Sequence, residues 1–291
     1  MYVLCLDIGG TFTRAAVVGS EGLVKQIKKY TPRANSKNML DQCKNLLINL
    51  NKVFNNKISA IAIGCAGPVK GAIMEGSKPM ELSQNINFKE CIGKYFNIPI
   101  FVANDLQMAI RAEKIYGHGH NIKNFSLITL STGIGVAIVL NNKILEHRIE
   151  IGHNIIETNQ NIARPCTNGH SGCWVSQASG GAVQKYLTDK GLNISLEEFF
   201  KKPDQIFINS IKRANTYGIT NVIHSFDPEK IIIMGSLGTK QFDKIIPSSF
   251  DIKNACLLRP IPQIIKSKLG DEIGLLGAYE FAKEKLVDKY A

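Results

Sequence analysis

The chain of 291 residues has no apolar run approaching the roughly 20 residues that a membrane-spanning helix needs, so no such span is expected. Its opening also lacks a basic segment leading into an apolar stretch and a cleavage site, because Asp7 interrupts the apolar run too early for a secretory signal. A disulfide framework is missing too, since the 7 cysteines are odd in number and scattered from Cys5 to Cys256. Cytosol is the compartment these absences leave, with Cys5, Cys65 and Cys256 expected as small core side chains. Neither common nucleotide signature is present: no Gly-Lys-Ser/Thr follows the first glycine pair, and there is no GxGxxG. The excess of 35 Lys and Arg over 24 Asp and Glu gives a formal charge of +11, yet no basic helix or basic–aromatic interleaving goes with it. KQIKK at 25–29 and IKSK at 265–268 are short, so a solvated basic surface is expected rather than a nucleic-acid face. The charge favours small anionic partners such as nucleotides and phosphorylated metabolites. With one tryptophan, Trp174, stacking platforms are scarce; packing is its expected role and sugar stacking the lesser alternative.

What is present is organised around the opening stretch YVLCLDIGGTFTR, residues 2–14. Val3, Leu4, Cys5, Leu6 and Ile8 form an apolar, β-prone run broken by Asp7, and Gly9, Gly10, Thr11 and Thr13 follow. Such a strand delivers functional groups to its carboxyl end. Glycines let backbone N–H groups approach phosphate oxygens, and the acid can face a cation on the same phosphates. A plain β-hairpin, with Gly9-Gly10 as its turn and Thr13 to Gly19 as its return strand, explains the same residues, and the two readings are compatible.

Strands at 2–8, 13–19 and 23–30 precede a helix over 36–55, a buried strand at 58–65, a helix at 88–96, a strand at 98–103 and a helix at 106–115. This β-β-β-α-β-α-β-α run fills about the first 116 residues, and GHGHN at 117–121 marks a boundary. A second cycle then opens in the same way: strand 125–130, glycine-bearing turn STGIG at 131–135, strand 136–140, and a further strand at 143–148. After a polar excursion at 150–180, helices are expected at 182–187, 196–200, 205–224 and 240–250, and a short strand at 231–234. A final segment, 269–288, ends in a helix. The expected fold class is α/β with two domains. One covers 1–116 joined by the C-terminal helix 277–291; the other covers 117–276 and carries the Cys/His-containing loop at 150–180. Ligands in such folds gather at strand carboxyl ends and between domains, so an interdomain cleft is expected.

Eight ordered segments together resemble the ROK family (repressors, uncharacterised frames and sugar kinases) of the actin/hexokinase-like, or ribonuclease H-like, superfamily. They are LDIGGTFTRAAVV at 6–18, GCAGPVKG at 64–71, VANDLQMAIRAE at 102–113, TLSTGIGVAIVLNNKIL at 129–145, IEIGH at 149–153, CTNGHSGC at 166–173, IIIMGSLG at 231–238 and LGDEIGLLGAYE at 269–280. The resemblance implies ATP-dependent phosphorylation of a hexose or N-acyl-hexosamine, usually on the 6-hydroxyl, by a homodimer with Mg²⁺. It makes Asp105 the catalytic base, and Gly67, Asn104, Asp105, Glu150 and His153 the sugar contacts. Asp7, Gly9, Gly10, Thr11, Thr132, Gly133, Gly135 and Gly235 would serve the nucleotide, with Asp7 reaching Mg²⁺ through water. By residue type and spacing alone, Asp105 reads first as an N-cap of the following helix and Glu150 as a surface ion-pair partner; the catalytic and sugar-binding roles come from the resemblance.

Several positions depart from the family pattern. Ser131 stands where glycine is usual, which a small hydroxyl residue tolerates unless φ is positive there, and Ser236 replaces a glycine after Gly235. The family's structural zinc site keeps His153, Cys166 and Cys173, but Asn168 occupies the middle cysteine position, leaving His170 as the fourth ligand if zinc binds. Val175 replaces a sugar-binding glutamate, so glucose is not singled out as the acceptor; fructose and N-acetylmannosamine remain open. A transcriptional repressor of the family would carry a DNA-binding helix-turn-helix ahead of the core, and only Met1 precedes the first strand, so that role is not expected. A non-catalytic sugar sensor is the alternative from a different class.

Overall fold

The structure, a computed structural model, describes residues 1–54, 57–77, 80–146, 149–258 and 260–290. It divides into two compact units: residues 1–120 with 269–291, and residues 121–268.

The first unit opens with three antiparallel strands, β1 (Tyr2–Ile8), β2 (Phe12–Gly19) and β3 (Gly22–Tyr30). Helix α1 (Ser36–Val53) follows, started by the Asn35 side chain, which accepts from the N–H of Asn38. Its Met39, Cys43, Leu46, Leu47 and Leu50 recur at helical spacing and bury one face, so packing holds a helix whose asparagines propagate it poorly. Strand β4 (Ile58–Cys65) pairs parallel to β1, and β8 (Ile100–Asn104) parallel to β4, giving the sheet order β3-β2-β1-β4-β8. Between β4 and β8 stand β5 (Val69–Lys70), β6 (Ile73–Ser77), β7 (Leu82–Asn87) and α2 (Phe88–Gly93). Helix α3 (Asp105–Tyr116) follows β8 directly.

The second unit has β9 (Phe125–Leu130), β10 (Ile134–Leu140) and β11 (Lys143–Ile144), then the short α4 (Trp174–Ala178), α5 (Gly180–Asp189), α6 (Leu196–Lys201) and the long α7 (Gln205–Phe226). Strand β12 (Lys230–Met234), helices α8 (Ser236–Lys240), α9 (Phe242–Ile245) and α10 (Ser249–Ala255), and β13 (Gln263–Lys266) complete it. Its sheet order, β11-β10-β9-β12-β13, repeats that of the first unit, with β9, β12 and β13 parallel. The last helix, α11 (Ile273–Tyr290), belongs to the first unit, where Leu275, Ala278 and Ala282 pack against Val3 and Cys5 of β1. Each unit therefore has its own core: Leu4, Leu6, Ile61 and Ile63 with α1 in the first, and Ile128, Trp174, Ile211 and Ile231 in the second.

Three expectations need correction. The three-stranded sheet β5-β6-β7 is an insertion that the pattern of strands and helices did not predict. Strand β5 is two residues long, and Ser83-Gln84-Asn85 in β7 break any alternation, so the periodic signal is absent. The helix expected over 240–250 is three pieces, because Pro247 forces the preceding Ile246 into an extended conformation and Ser248 starts α10 with a capping box. Part of the basic run at 265–268 lies in β13, an edge strand. The strand expected over 143–148 ends at Ile144; its residues 147–148 lie outside the described ones, as do Asn55 and Ala291 at the ends of two expected helices. Among the described residues, no helix is long and apolar enough to cross a membrane.

Candidate active site

In the first unit, the parallel register sets Asp7 opposite Gly64, Gly64 opposite Ala103, and Cys65 opposite Asn104. The strand ends that follow one another across β1, β4 and β8 thus gather Asp7, the GCAGP turn, Asn104 and Asp105 at one sheet edge. Asn104 caps α3: its Oδ1 accepts from the N–H of Leu106 at 2.9 Å, and its Nδ2 donates to the Gly67 carbonyl at 3.0 Å. Both ends of this amide tie the Gly67 turn to the helix start. The turn is held from its other side by the inserted sheet, where Ser77 Oγ donates to the Ala66 carbonyl and a Cβ on Gly67 would lie 2.6 Å from the Gly76 carbonyl.

Asp105 is the first residue of α3 and not its cap, although its Oδ1 shares the Leu106 N–H at 2.9 Å. Burial, followed by the nearby Asp7 carboxylate, pushes its pKa up to about 7. Asp7 is pushed up to about 6 by burial, against the pull of the Arg14 guanidinium 3.4 Å away. Arg14 also pairs with Asp271 at 3.1 Å, and Lys28 meets the same carboxylate at 2.7 Å. Opposite, Gly274 of α11 leaves room for Asp7: a Cβ there would stand 2.6–2.9 Å from the carboxyl group. The carboxylate of Asp7 is the kind of hard oxygen donor that suits Mg²⁺, which takes oxygen ligands and keeps several waters.

The glycine turn that follows β1 is a hairpin turn, with the Gly9 N–H on the Phe12 carbonyl at 3.0 Å. Neither Gly9 nor Gly10 has a left-handed φ, so open backbone rather than an unusual conformation is what they supply. Thr31, just beyond β3, braces the turn twice: its Oγ1 donates to the Gly9 carbonyl at 2.7 Å and its N–H to the Thr11 carbonyl at 2.9 Å. A trans peptide points C=O and N–H in opposite directions, so pinning the Gly9 carbonyl turns the Gly10 N–H away from Thr31. The Thr11 side chain is exposed, whereas Thr13 is buried, 3.0 Å from Thr31 Oγ1, and serves the brace.

In the second unit, Ser131, Thr132 and Gly133 cross from β9 to β10. Ser131 does not take a positive φ, so its side chain is accommodated where the family pattern has glycine. Thr132 is exposed and a Cβ on Gly133 would meet nothing within 4 Å, which leaves the face of this loop open; Gly135 lies within β10. Gly235, after β12, has φ +87° and no space for a Cβ, which would lie 2.4 Å from the Leu130 carbonyl. Only glycine meets both demands there. Ser236 begins α8.

Glu150 is exposed and precedes a single 3₁₀ turn, Ile151–His153, whose His153 N–H donates to the Glu150 carbonyl at 2.8 Å. The His153 ring turns toward the cysteines: its Nδ1 lies 3.6 Å from Cys166 Sγ and 3.8 Å from Cys173 Sγ, and its Nε2 lies 3.3 Å from the Asn168 amide. His153, Cys166, His170 and Cys173 offer four ligand atoms all within 4.8 Å of one another. The loop that brings them together is a knuckle, with the Cys166 N–H on the His170 carbonyl at 2.6 Å and Gly169 and Gly172 at left-handed φ. His170 Nε2 is buried without a partner among the described residues. Two thiols and two imidazoles are a donor set for tetrahedral zinc, and the two His153–cysteine separations lie within the about 3.3–3.8 Å between ligand atoms at its usual bond lengths. Val175 packs against the core of this unit, and Trp174 is wholly buried, donating its indole N–H to Asn215 Oδ1 at 2.8 Å. Sugar stacking by Trp174 is thereby excluded. Arg14, Thr31 and Gly274 were not singled out as site residues by the sequence patterns, although Arg14 and Gly274 lie inside quoted segments.

These strand orders and loop positions define a two-unit α/β fold of the actin/hexokinase-like class. The sequence matches the ROK family over residues 3–285, and the chain belongs to that family. It is similar to the N-acetylmannosamine kinase of Haemophilus influenzae (strain PittEE), with 29% identity covering 99% of this chain and 98% of that protein. A xylose repressor of Bacillus spizizenii is 25% identical over 99% of this chain and 78% of its own length. In structure, the chain resembles a ROK family glucokinase from Streptomyces griseus in complex with glucose and AMPPNP, with a TM-score of 0.77, 23% identity, and 98% and 100% of the two chains covered.

Proposed function

We propose that this protein transfers the terminal phosphoryl group of ATP to a sugar hydroxyl. It is a sugar phosphotransferase, and its acceptor is an N-acyl-hexosamine or hexose, phosphorylated on the 6-hydroxyl. The observation that carries the reading is Asp105, a carboxylate fixed at a helix start beside Asp7, with its pKa lifted to about 7. A sensor or repressor needs a sugar pocket but no base of this kind.

In the reaction, Asp105 aligns the sugar hydroxyl and accepts its proton as the oxygen attacks phosphorus. In a loose transition state that proton moves late, so orientation supplies much of the benefit. Asn104, Gly67, Glu150 and His153 hold the acceptor. The loops at Gly9–Thr11 and Thr132–Gly135 offer N–H groups and hydroxyls to the phosphates, and Gly235 lets the backbone lie beside the adenosine. Asp7 would hold Mg²⁺ through water, an ion that offsets charge on the transferring phosphoryl group.

The similarity to an N-acetylmannosamine kinase makes N-acetylmannosamine the first acceptor to assay, and apolar Val175 accords with a sugar other than glucose. His153, Cys166, His170 and Cys173 would hold a structural zinc ion that fixes the loop carrying Glu150 and His153. Family resemblance also supports a cytosolic homodimer, which light scattering on the purified protein checks. The central test is ATP-dependent ADP release over a panel of N-acetylmannosamine, N-acetylglucosamine, glucose, mannose and fructose, beside titration with duplex DNA. Turnover on at least one sugar is expected. No turnover together with tight sequence-selective DNA binding would replace the kinase reading with a repressor.

A further inference from the structure

We propose that Gly180 and Gly181, at the start of α5, aim the Ser131–Gly133 loop at the nucleotide phosphates by holding its carbonyls away from them. The inference rests on the reading of this loop as a grip on ATP. The Gly180 N–H donates to the Ser131 carbonyl at 2.7 Å, and the Gly181 N–H donates to the Thr132 carbonyl at 3.0 Å. Both donors lie in the first turn of a helix, where N–H groups have no acceptor within the helix itself. Next to them, Ser179 Oγ accepts from the Ala182 N–H at 3.2 Å. The helix start is thus satisfied partly by its own cap and partly by the loop.

The consequence lies in the peptide planes. Carbonyl and N–H of one trans peptide point in opposite directions. With the Ser131 carbonyl pinned to Gly180, the N–H of Thr132 faces away from α5. With the Thr132 carbonyl pinned to Gly181, the N–H of Gly133 does the same. Neither N–H meets an acceptor among the described residues. Two successive outward N–H groups form an anion-binding concavity, whereas an outward carbonyl would repel a phosphate.

Space is the second, independent observation. A Cβ on Gly180 would lie 2.7 Å from the Ser131 carbonyl oxygen, and one on Gly181 would lie 3.0 Å from that of Thr132. Neither glycine has a positive φ, so close approach and not conformation is what requires them. The same two carbonyls that receive the hydrogen bonds would be displaced by any side chain. Gly180 and Gly181 are therefore positioning residues, acting on phosphate through the loop.

The test compares full-length wild type, Gly180→Ala and Gly181→Ala, with calorimetric titration of Mg²⁺–AMPPNP and, separately, of the sugar that the wild type turns over. Alanine is the better helix former, so any loss of nucleotide affinity cannot come from a weakened α5. Gly180→Ala is expected to weaken AMPPNP binding roughly tenfold or more, and Gly181→Ala by a smaller factor, with sugar affinity changed less than about twofold. The KM for ATP should rise in the same order while the KM for sugar stays put. Unchanged nucleotide affinity in folded Gly180→Ala, or in Gly181→Ala should the first variant fail to fold, would overturn the proposal. So would equal losses for nucleotide and sugar. A wild type that binds no AMPPNP but still binds sugar would instead defeat the kinase reading, and the positioning role with it.

Discussion

The two units share a strand order and differ in what they place at the ends of their parallel strands. In the first, two buried carboxylates, Asp7 and Asp105, are both pushed up by burial, Asp105 further by the charge of Asp7, and the glycine turn is braced by the hydroxyl and N–H of Thr31. In the second, the loop after β9 carries no acid and is braced by the N–H groups of two glycines, while its metal-type ligands are thiols and imidazoles. Hard oxygen donors suit Mg²⁺ and soft ones suit zinc. A repeated topology therefore fixes where loops occur, and on the proposed reading side-chain chemistry would divide the work: proton transfer and Mg²⁺ in the first unit, and the larger share of the phosphate grip with a structural metal in the second.

The sharpest way to break that division is Asp105→Asn. The amide still accepts from the Leu106 N–H but takes no proton, so turnover should fall by about 10²–10⁴ with sugar and AMPPNP affinities nearly kept. Wild-type turnover in sugar-dependent ADP release would remove Asp105 from its role. In wild type, the base works only when ionised, so kcat/KM should decline on the acid side of a midpoint near the pKa of about 7. Stability moves the other way. Asp105 titrates at about 7 folded and at about 3.9 unfolded, so the folded state holds the proton more firmly and loses stability as pH rises through this window. Asp105→Asn should melt above wild type at pH 8, by a margin that shrinks toward pH 4; a constant margin would contradict the assigned shift.

Gly274→Ala probes the same unit through Asp7. The added Cβ must displace the carboxyl group, and a misplacement on the order of 1 Å costs up to about 10²-fold. We expect kcat/KM to fall roughly 10- to 100-fold, with a raised Mg²⁺ requirement, while the zinc content of the second unit is untouched. An unaltered Mg²⁺ requirement would show that Asp7 does not serve the metal. The complementary cut is His170→Ala. Metal analysis of protein purified without added zinc should give about one zinc per wild-type chain and much less for the variant, with the melting temperature lower by roughly 5 °C. Wild type free of zinc would leave the loop held by packing and hydrogen bonds alone.

The opening strand, its glycine turn, the Asn104-Asp105 pair and the second cycle at 125–140 were legible because each joins a periodic apolar run to an abrupt polar or glycine exit. The sheet β5-β6-β7 was not, since Met74, Leu82 and Ile86 are buried by tertiary packing without any regular alternation. Pro247 is the readable signal that a helix over 240–250 breaks, because it bars the residue before it from the helical conformation. At the site, what sequence could not disclose were partnerships between distant residues. Thr31 is an unremarkable threonine until β3 brings it onto the Gly9 carbonyl, and Gly274 matters only because α11 passes Asp7. His170 could be placed beside Cys166 and Cys173 by spacing, but its proximity to His153 depends on the knuckle at Gly169 and Gly172.

The smallest effect belongs to the brace of the first loop, and it is the one that compares the two loops most directly. Thr31→Val keeps shape and removes the hydroxyl, so the Gly9 carbonyl loses one donor and Thr13 loses its partner. The backbone N–H of Thr31 still holds the Thr11 carbonyl, which leaves the turn half braced. A stability loss of about 1 kcal/mol follows from the unmade bond. Because the Gly10 N–H is then free to turn, AMPPNP affinity should fall by about fivefold, and Thr31→Ser should restore it. A brace made by a side chain can be removed by deleting one atom, whereas a brace made by glycine N–H groups is disturbed only by adding one. If Thr31→Val were to weaken nucleotide binding more than Gly180→Ala does, the first loop and not the second would be the main grip on phosphate, and the division of work between the units would have to be reversed.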